Sequence, residues 1–201
     1  MLFFDLEIIA TINPNRAYMP FQNVHRWDDK ANMGIAVCGF YVSDLDRFDW
    51  FTLDWQRQPQ VKNKAANEQA IALFREYADQ AVGFNSRSFD DPLLRVNGFP
   101  EFQSRFDLLQ LIRRQVFGSS DWRNQPKDYS YKLDRLAIAN FGQGKIGDGA
   151  LAPLRWQQGE YEGVVRYCLD DVRLLRDSFQ RFHKGQLKDP NTGRLLGLQP
   201  S

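Results

Sequence analysis

Two acids stand inside the first apolar segment of the chain, and such a segment has few ways to fold around them. Residues 2–9 read LFFDLEII, compact enough for one strand and rich in the residues that pleated sheets favour. Alternate side chains of a strand share a face, so Phe3, Asp5 and Glu7 point one way and Leu2, Phe4, Leu6 and Ile8 the other. From a rise of about 3.3 Å per residue, the two acids stand about 7 Å apart at Cα. Unpaired carboxylates on a buried strand are costly. The simplest relief is a hard divalent cation, which takes oxygen ligands. The alternative for a bare D-x-E is an edge strand that keeps its acids in water.

The remaining pattern predicts an α/β domain with a mixed central sheet flanked by helices. A buried strand is expected over 33–42, with a hairpin partner over 48–53 across the acidic turn 43–47. Helical spacing follows over 65–78, then a short strand over 81–84 ending at Asn85, and a short helix over 90–96. A strand over 105–108 runs into a helix through Phe117. Another helix covers 132–141, closed by Gly142, and a long one runs from about Glu160 to Phe182. Residues 13–32 and the Gly-rich stretch 142–149 read as loops. We divide the chain into a domain over 1–184 and a tail over 185–201, whose Asp189-Pro190-Asn191-Thr192-Gly193 suggests a small hairpin.

Composition sets outer bounds. The 201 residues are 43% hydrophobic and 25% charged, enough apolar material for a core. A net charge of +1 argues against holding nucleic acid by bulk electrostatics, but allows a few cations placed around a carboxylate site. Cys38 and Cys168 sit in apolar contexts and read as reduced core residues of an intracellular protein. No secretory leader and no apolar run of about 20 residues is present, so a soluble, cytoplasmic protein without a membrane partner is expected.

Two further segments carry chemistry. In Asn85-Ser86-Arg87-Ser88-Phe89-Asp90 a strand ends and turns into a helix that opens on acid, which is also how a plain helix cap reads. Between 164 and 182, Val164, Cys168, Val172, Leu175, Phe179 and Phe182 form an apolar stripe at helical spacing. Tyr167 and Asp171 lie one turn apart beside that stripe; a Tyr bonded to an Asp of its own helix is the plainer reading. Arg166, Asp170, Arg173 and Asp177 form a charged row expected to be solvated. Arg113, Arg114, Arg123 and Lys127, with Trp122 among them, suit the backbone and bases of a single strand, or simply a soluble surface.

Asp5-Leu6-Glu7, Asn85 through Phe89-Asp90, and Tyr167 through Asp171 follow the order of three motifs, D-x-E, N-x-x-x-F-D and Y-x-x-x-D. On these motifs the chain resembles the DEDD superfamily of 3′→5′ exonucleases in its Tyr-bearing branch, which has an RNase H-like fold. The stretches 131–137, 144–149 and 167–172 look like exonucleases related to the proofreading domain of B-family DNA polymerases. Trp27 and residues 33–37 look like RNase H-like domains sometimes joined to helicases.

The resemblance implies a catalytic set of Asp5, Glu7, Asp90, Tyr167 and Asp171, whose four acids hold two Mg2+ or Mn2+ ions. Asp5, Glu7 and Asp171 would hold one ion. Asp5 and, largely through water, Asp90 would hold the other. Tyr167, as a phenol of pKa about 10, would orient the attacking water rather than deprotonate it. Substrate contacts are implied at Leu6, Ile8, Asn85 and Phe89, and Lys145 is a candidate phosphate contact, or a solvated loop lysine. Proofreading domains often carry Thr or Ser at the position of Ile8, which here offers only its backbone N–H. The expected substrate is single-stranded nucleic acid, DNA ahead of RNA, with a helicase or polymerase as the implied partner. An exoribonuclease and a catalytically silent nucleic-acid-binding module of the same fold are the alternatives; the intact acid set argues against the latter.

Overall fold

A computed structural model describes residues 1–15, 18–145 and 147–197. Its centre is a five-stranded sheet that runs, edge to edge, β5 (Arg47–Phe51), β4 (Ile35–Val42), β1 (Leu2–Ile8), β6 (Ala81–Gly83) and β7 (Phe106–Asp107). β4 is antiparallel to β1 and to β5, whereas β6 and β7 continue the sheet in parallel, so the sheet is mixed. The first strand is therefore central and covered on both faces, which is why it reads as an almost unbroken apolar run. Its pairing with β4 places Phe4 opposite Phe40, Asp5 opposite Gly39 and Glu7 opposite Val37. The register then shifts between Glu7 and Ile8, a local irregularity beside the acid.

Leu2, Phe4, Leu6 and Ile8 face one layer, with α3 (Lys64–Glu76) and α4 (Asp90–Val96). There Phe74 of α3 lies 5.3–5.9 Å, ring centre to ring centre, from its aromatic neighbours; Phe51 is at 5.3 Å and Phe4 at 5.9 Å. Phe3 faces the opposite layer, where Val172, Leu175, Phe179 and Phe182 of α8 (Tyr161–His183) pack with Leu108, Leu109 and Ile112 of α5 (Leu108–Phe117). α6 (Leu133–Phe141) lies against α8 through Leu133, Ala137 and Leu174. The α/β class and the mixed, helix-flanked sheet expected from sequence are found, in an arrangement compatible with an RNase H-like fold.

Several boundaries differ for local reasons. The strand expected over 105–108 is two residues long, because the Asp107 side chain accepts from Gln110 N at 3.2 Å and caps α5. The segment read as a loop over 13–32 holds β3 (Asn23–Val24), paired in parallel with β2 (Thr11–Ile12), and α1 (Lys30–Met33). Residues 16 and 17 of that loop, and 146 of the Gly-rich loop, lie outside the described residues. α2 (Gln58–Val61) and α7 (Ala152–Gln157) were not anticipated; α7 is anchored by fully buried Trp156, whose indole donates to Asp54 at 2.9 Å. In the tail, β8 (Leu187–Lys188) and β9 (Leu195–Leu196) form an antiparallel pair, and Leu187 and Leu196 are buried with the α8 layer. Residues 198–201 of the tail are outside the described residues. Among the described residues no helix is long and apolar enough to cross a membrane.

Candidate active site

The central strand turns Asp5 and Glu7 toward α8, where Gly39 of β4 lets the helix come close. A Cβ at Gly39 would lie 2.9 Å from Cys168 Sγ and 3.2 Å from Leu169 Cδ2. The Cys168 thiol accordingly touches Asp5, donating to its backbone oxygen at 3.4 Å. Asp5, Glu7 and Cys168 each offer a ligand atom, and these atoms lie within 4.8 Å of one another. One helical turn brings Tyr167 and Asp171 to the same place; Tyr167 is 8% exposed and Asp171 2%. From its apolar context alone, Cys168 reads only as core. Its place between Tyr167 and Asp171, on the side facing the sheet, was the signal that it also borders the acids.

Asp90 arrives from the other side on the first turn of α4. The preceding loop is tightly bonded. Asn85 takes a left-handed conformation (φ 59°), and Asp107 accepts from Asn85 N at 3.0 Å and Arg87 N at 3.2 Å. Asp91, next to Asp90, accepts from Ser104 N at 3.0 Å and from its hydroxyl at 2.9 Å. Asp90 is thus the acid aimed inward, while Asp91 and Asp107 hold its loop. Nothing in the periodicity marked those two acids as supports of the loop, because the loop partners lie 13 to 22 residues away.

Burial raises all four candidate acids. Asp5 is pushed up to about 7, by burial first and then by Asp171, against Lys145. Glu7 is raised well above the carboxylate range by burial, Asp5 and Asp171; Asp90 by burial and Asp5. Asp171 is also raised by burial, with Lys145 opposing. Lys145 reaches in from the Gly-rich loop; its ammonium bonds to Asp171 Oδ2 and lies 3.3 Å from the Tyr167 hydroxyl. Burial would lower Lys145, but Asp5 and Asp171 outweigh it and raise it. Burial, with Asp171 beside it, raises Tyr167, so its phenol keeps its proton.

The donor set fits a hard cation. Its carboxylates are held together at a desolvation cost, with the Cys168 thiol beside them, and one Asp171 oxygen is buried without any hydrogen-bond partner among the described residues. A buried group containing Asp5, Glu7 and Cys168 can therefore bind a metal ion.

Two recesses reach this centre. Leu6, Glu7, Ile8, Ile12, Phe89 and Pro153 line a small, largely apolar one of about 240 Å³. Behind Phe89, the buried Lys30 ammonium sits 3.6 Å from the ring centre and donates to Trp27 O at 2.5 Å. Asp5, Asn85, Lys145 and Tyr167 border the other, an open cleft of about 1010 Å³. The sequence-predicted substrate residues thus divide: Leu6, Ile8 and Phe89 at the recess, Asn85 and Lys145 at the cleft. Of the basic stretch, Arg113 lines the cleft, whereas Arg123 is paired with its neighbour Asp121. The row expected to be solvated is only partly so. Arg166 and Arg173 are exposed, but the Asp170 side chain is 11% exposed and bonded to Arg173, because the edge of the sheet-facing stripe reaches it.

Fold and site together define a mixed α/β domain with a buried carboxylate centre at the middle of its sheet. No family model and no curated protein matches the chain. Among solved structures it is similar to the family B DNA polymerase from the hyperthermophilic archaeon Pyrobaculum calidifontis, with a TM-score of 0.59 and 17% sequence identity. The similarity covers 96% of this chain and 26% of the polymerase, so the chain spans about a quarter of that protein.

Proposed function

We propose that the protein is a 3′→5′ exonuclease that uses two Mg2+ or Mn2+ ions to release nucleotides from single-stranded DNA ends. The observation that supports this reading is that Asp5, Asp90 and Asp171 act electrostatically on Glu7, with Tyr167 one helical turn from Asp171, beside a small apolar recess and an open cleft. The four acids would hold the ions, which when bound lower the pKa of the attacking water and stabilise the attacking and leaving oxygens of the displacement.

The chain's own residues do the rest. Ile8 presents its N–H, and Leu6 and Phe89 an apolar surface, to the terminal nucleotide. Tyr167 keeps its proton and orients the water through its hydroxyl. Lys145, the cation beside Asp171, is placed to meet the phosphate once the acids are otherwise neutralised.

The test is digestion of 5′-labelled single-stranded DNA, duplex DNA and RNA with Mg2+ or Mn2+. A ladder of shortening products abolished by chelator is expected, strongest on single-stranded DNA; cutting of a closed single-stranded circle would sink the reading. Asp171→Asn should remove most of the activity, about 10²-fold or more as expected for loss of charge stabilisation. Asp170→Asn should keep it, since the Asp170 carboxylate is bonded to Arg173 and is not among the proposed metal ligands.

A further inference from the structure

The outer part of the large cleft is built for something that neither the acids nor the terminal recess require. Arg113 of α5 is half-buried there, and its Nε donates to Gln125 at 3.2 Å. It forms no salt bridge among the described residues, and burial pulls it below the usual arginine range. Gln125 also donates through Nε2 to Tyr129 O at 2.7 Å, so one amide fixes a guanidinium and an aromatic residue side by side. The half-buried Tyr129 ring borders the cleft and is backed by Phe117, centre to centre 6.1 Å, and Tyr131 at 6.5 Å. From the far side, Ser130 N donates to the Asn191 side chain at 2.9 Å and Tyr131 to Asp189 at 3.0 Å, so the tail holds the two residues that follow Tyr129.

We propose that Arg113, Gln125 and Tyr129 form a binding subsite for the strand beyond the terminal nucleotide, which makes single strands longer than a dinucleotide the preferred substrates. This rests on the exonuclease reading above. A guanidinium engaged in no salt bridge answers a phosphate, and a backed aromatic ring answers a base face; together they hold a single strand without reading its sequence. A duplex gives no such free base face. The volumes agree: the terminal recess holds about 240 Å³, whereas the cleft, at about 1010 Å³, has room for several consecutive units. The wall is also set before any ligand arrives, which lowers the ordering cost of binding.

The experiment compares wild type, Tyr129→Ala, Tyr129→Phe and Arg113→Gln in the full chain. In the first arm, kcat/KM is measured on oligodeoxythymidylates of two, four and eight nucleotides. Wild type should favour the longer strands, through KM. Tyr129→Ala and Arg113→Gln should flatten that preference, and Tyr129→Phe, which retains the ring, should restore it. The second arm needs no turnover: fluorescence anisotropy of the labelled eight-mer is followed with Ca2+ in place of Mg2+. Loss of one stacked base should raise Kd about tenfold or more. A flat length dependence in active wild type, or equal eight-mer Kd in wild type and Tyr129→Ala, overturns the subsite. A chain that shows the Kd difference but hydrolyses nothing supports the subsite and overturns the nuclease reading instead.

Discussion

Asp171 meets Lys145 in this structure because four acids brought together away from water repel one another, and an ammonium on a mobile-length side chain is the least costly answer the chain itself can supply. A divalent cation held as proposed would compete for the same carboxylates. Lys145→Met should therefore lower the metal-free melting temperature and enlarge the rise that Mn2+ produces, since the metal replaces what the lysine did. Thermal melts with and without Mn2+ check this; equal metal-induced rises in the two proteins would mean that Lys145 is a spectator. The acids also set a pH dependence. Asp5 goes from an ordinary 3.8 to about 7 in the fold, and Glu7 and Asp90 are raised with it. Between those values the folded chain binds more protons than the unfolded one, so metal-free stability falls as pH rises through that window. Metal binding needs the deprotonated forms, so it strengthens in the same direction. The melting temperature without metal should be lower at about pH 8 than at about pH 5.5 as far as these groups govern it, and the Mn2+-induced rise should be larger at the higher pH. Melting curves at both values test the sign, and a metal-induced rise that shrinks with pH would contradict it.

α8 owes its position to two properties of the sequence at once: an apolar stripe at helical spacing, and a glycine in the strand it crosses. The stripe was legible, and with it the face that carries Tyr167 and Asp171, because a 23-residue helix repeats its period often enough to be unambiguous. The breadth of the buried face was not; Asp170, about 100° around the helix from Asp171, lies at the margin of the contact with the sheet rather than in water. α7 was illegible for a different reason. It has six residues, too few for a period, and its anchor Trp156 finds its partner Asp54 at a separation of 102 residues. The close approach at Gly39 gives a matched test. Gly39→Ala sets a methyl group against Cys168 Sγ at 2.9 Å, and should lift the helix, cost about 1–3 kcal/mol and weaken metal-induced stabilisation. Gly163→Ala, on the same helix with nothing within 4 Å of the new carbon, should instead stabilise by about 0.5–1 kcal/mol. Urea denaturation of both variants distinguishes a packing constraint at Gly39 from a general helix effect.

Across the whole molecule, turn chemistry in the sequence sets off a tail over 185–201 from a domain over 1–184, whereas the contacts of that tail run back to the α8 layer, to α5 and, through Ser130 and Tyr131, to the cleft wall. Leu187 and Leu196 are buried in the layer under α8, Gln115 of α5 binds both N and O of Gly197, and Asp189 receives the Tyr131 hydroxyl at 3.0 Å. These partners lie 58 to 82 residues apart, a range at which no local pattern reports them. Asp189 itself is 2% exposed and does two tasks, since its other oxygen accepts from Asn191 N at 2.8 Å and Thr192 N at 3.3 Å and closes the hairpin turn. Asp189→Ala removes both. It leaves the buried Tyr131 hydroxyl unsatisfied, at about 1–3 kcal/mol, out of a total stability of about 5–15 kcal/mol for a typical domain. Tyr131→Phe removes the hydroxyl but spares the turn, and should cost less. If the tail acts as a clamp on the cleft wall, Asp189→Ala should also raise the Kd for single-stranded DNA, and speed amide exchange at 129–131. The metal-induced rise in melting temperature should persist, because Asp5, Glu7, Asp90 and Asp171 rest on β1, α4 and α8 and not on the tail. Loss of the metal response together with the strand binding would show that the variant had loosened the whole sheet. Unchanged strand binding and exchange, with stability reduced, would show that the hairpin stabilises the fold without shaping the cleft.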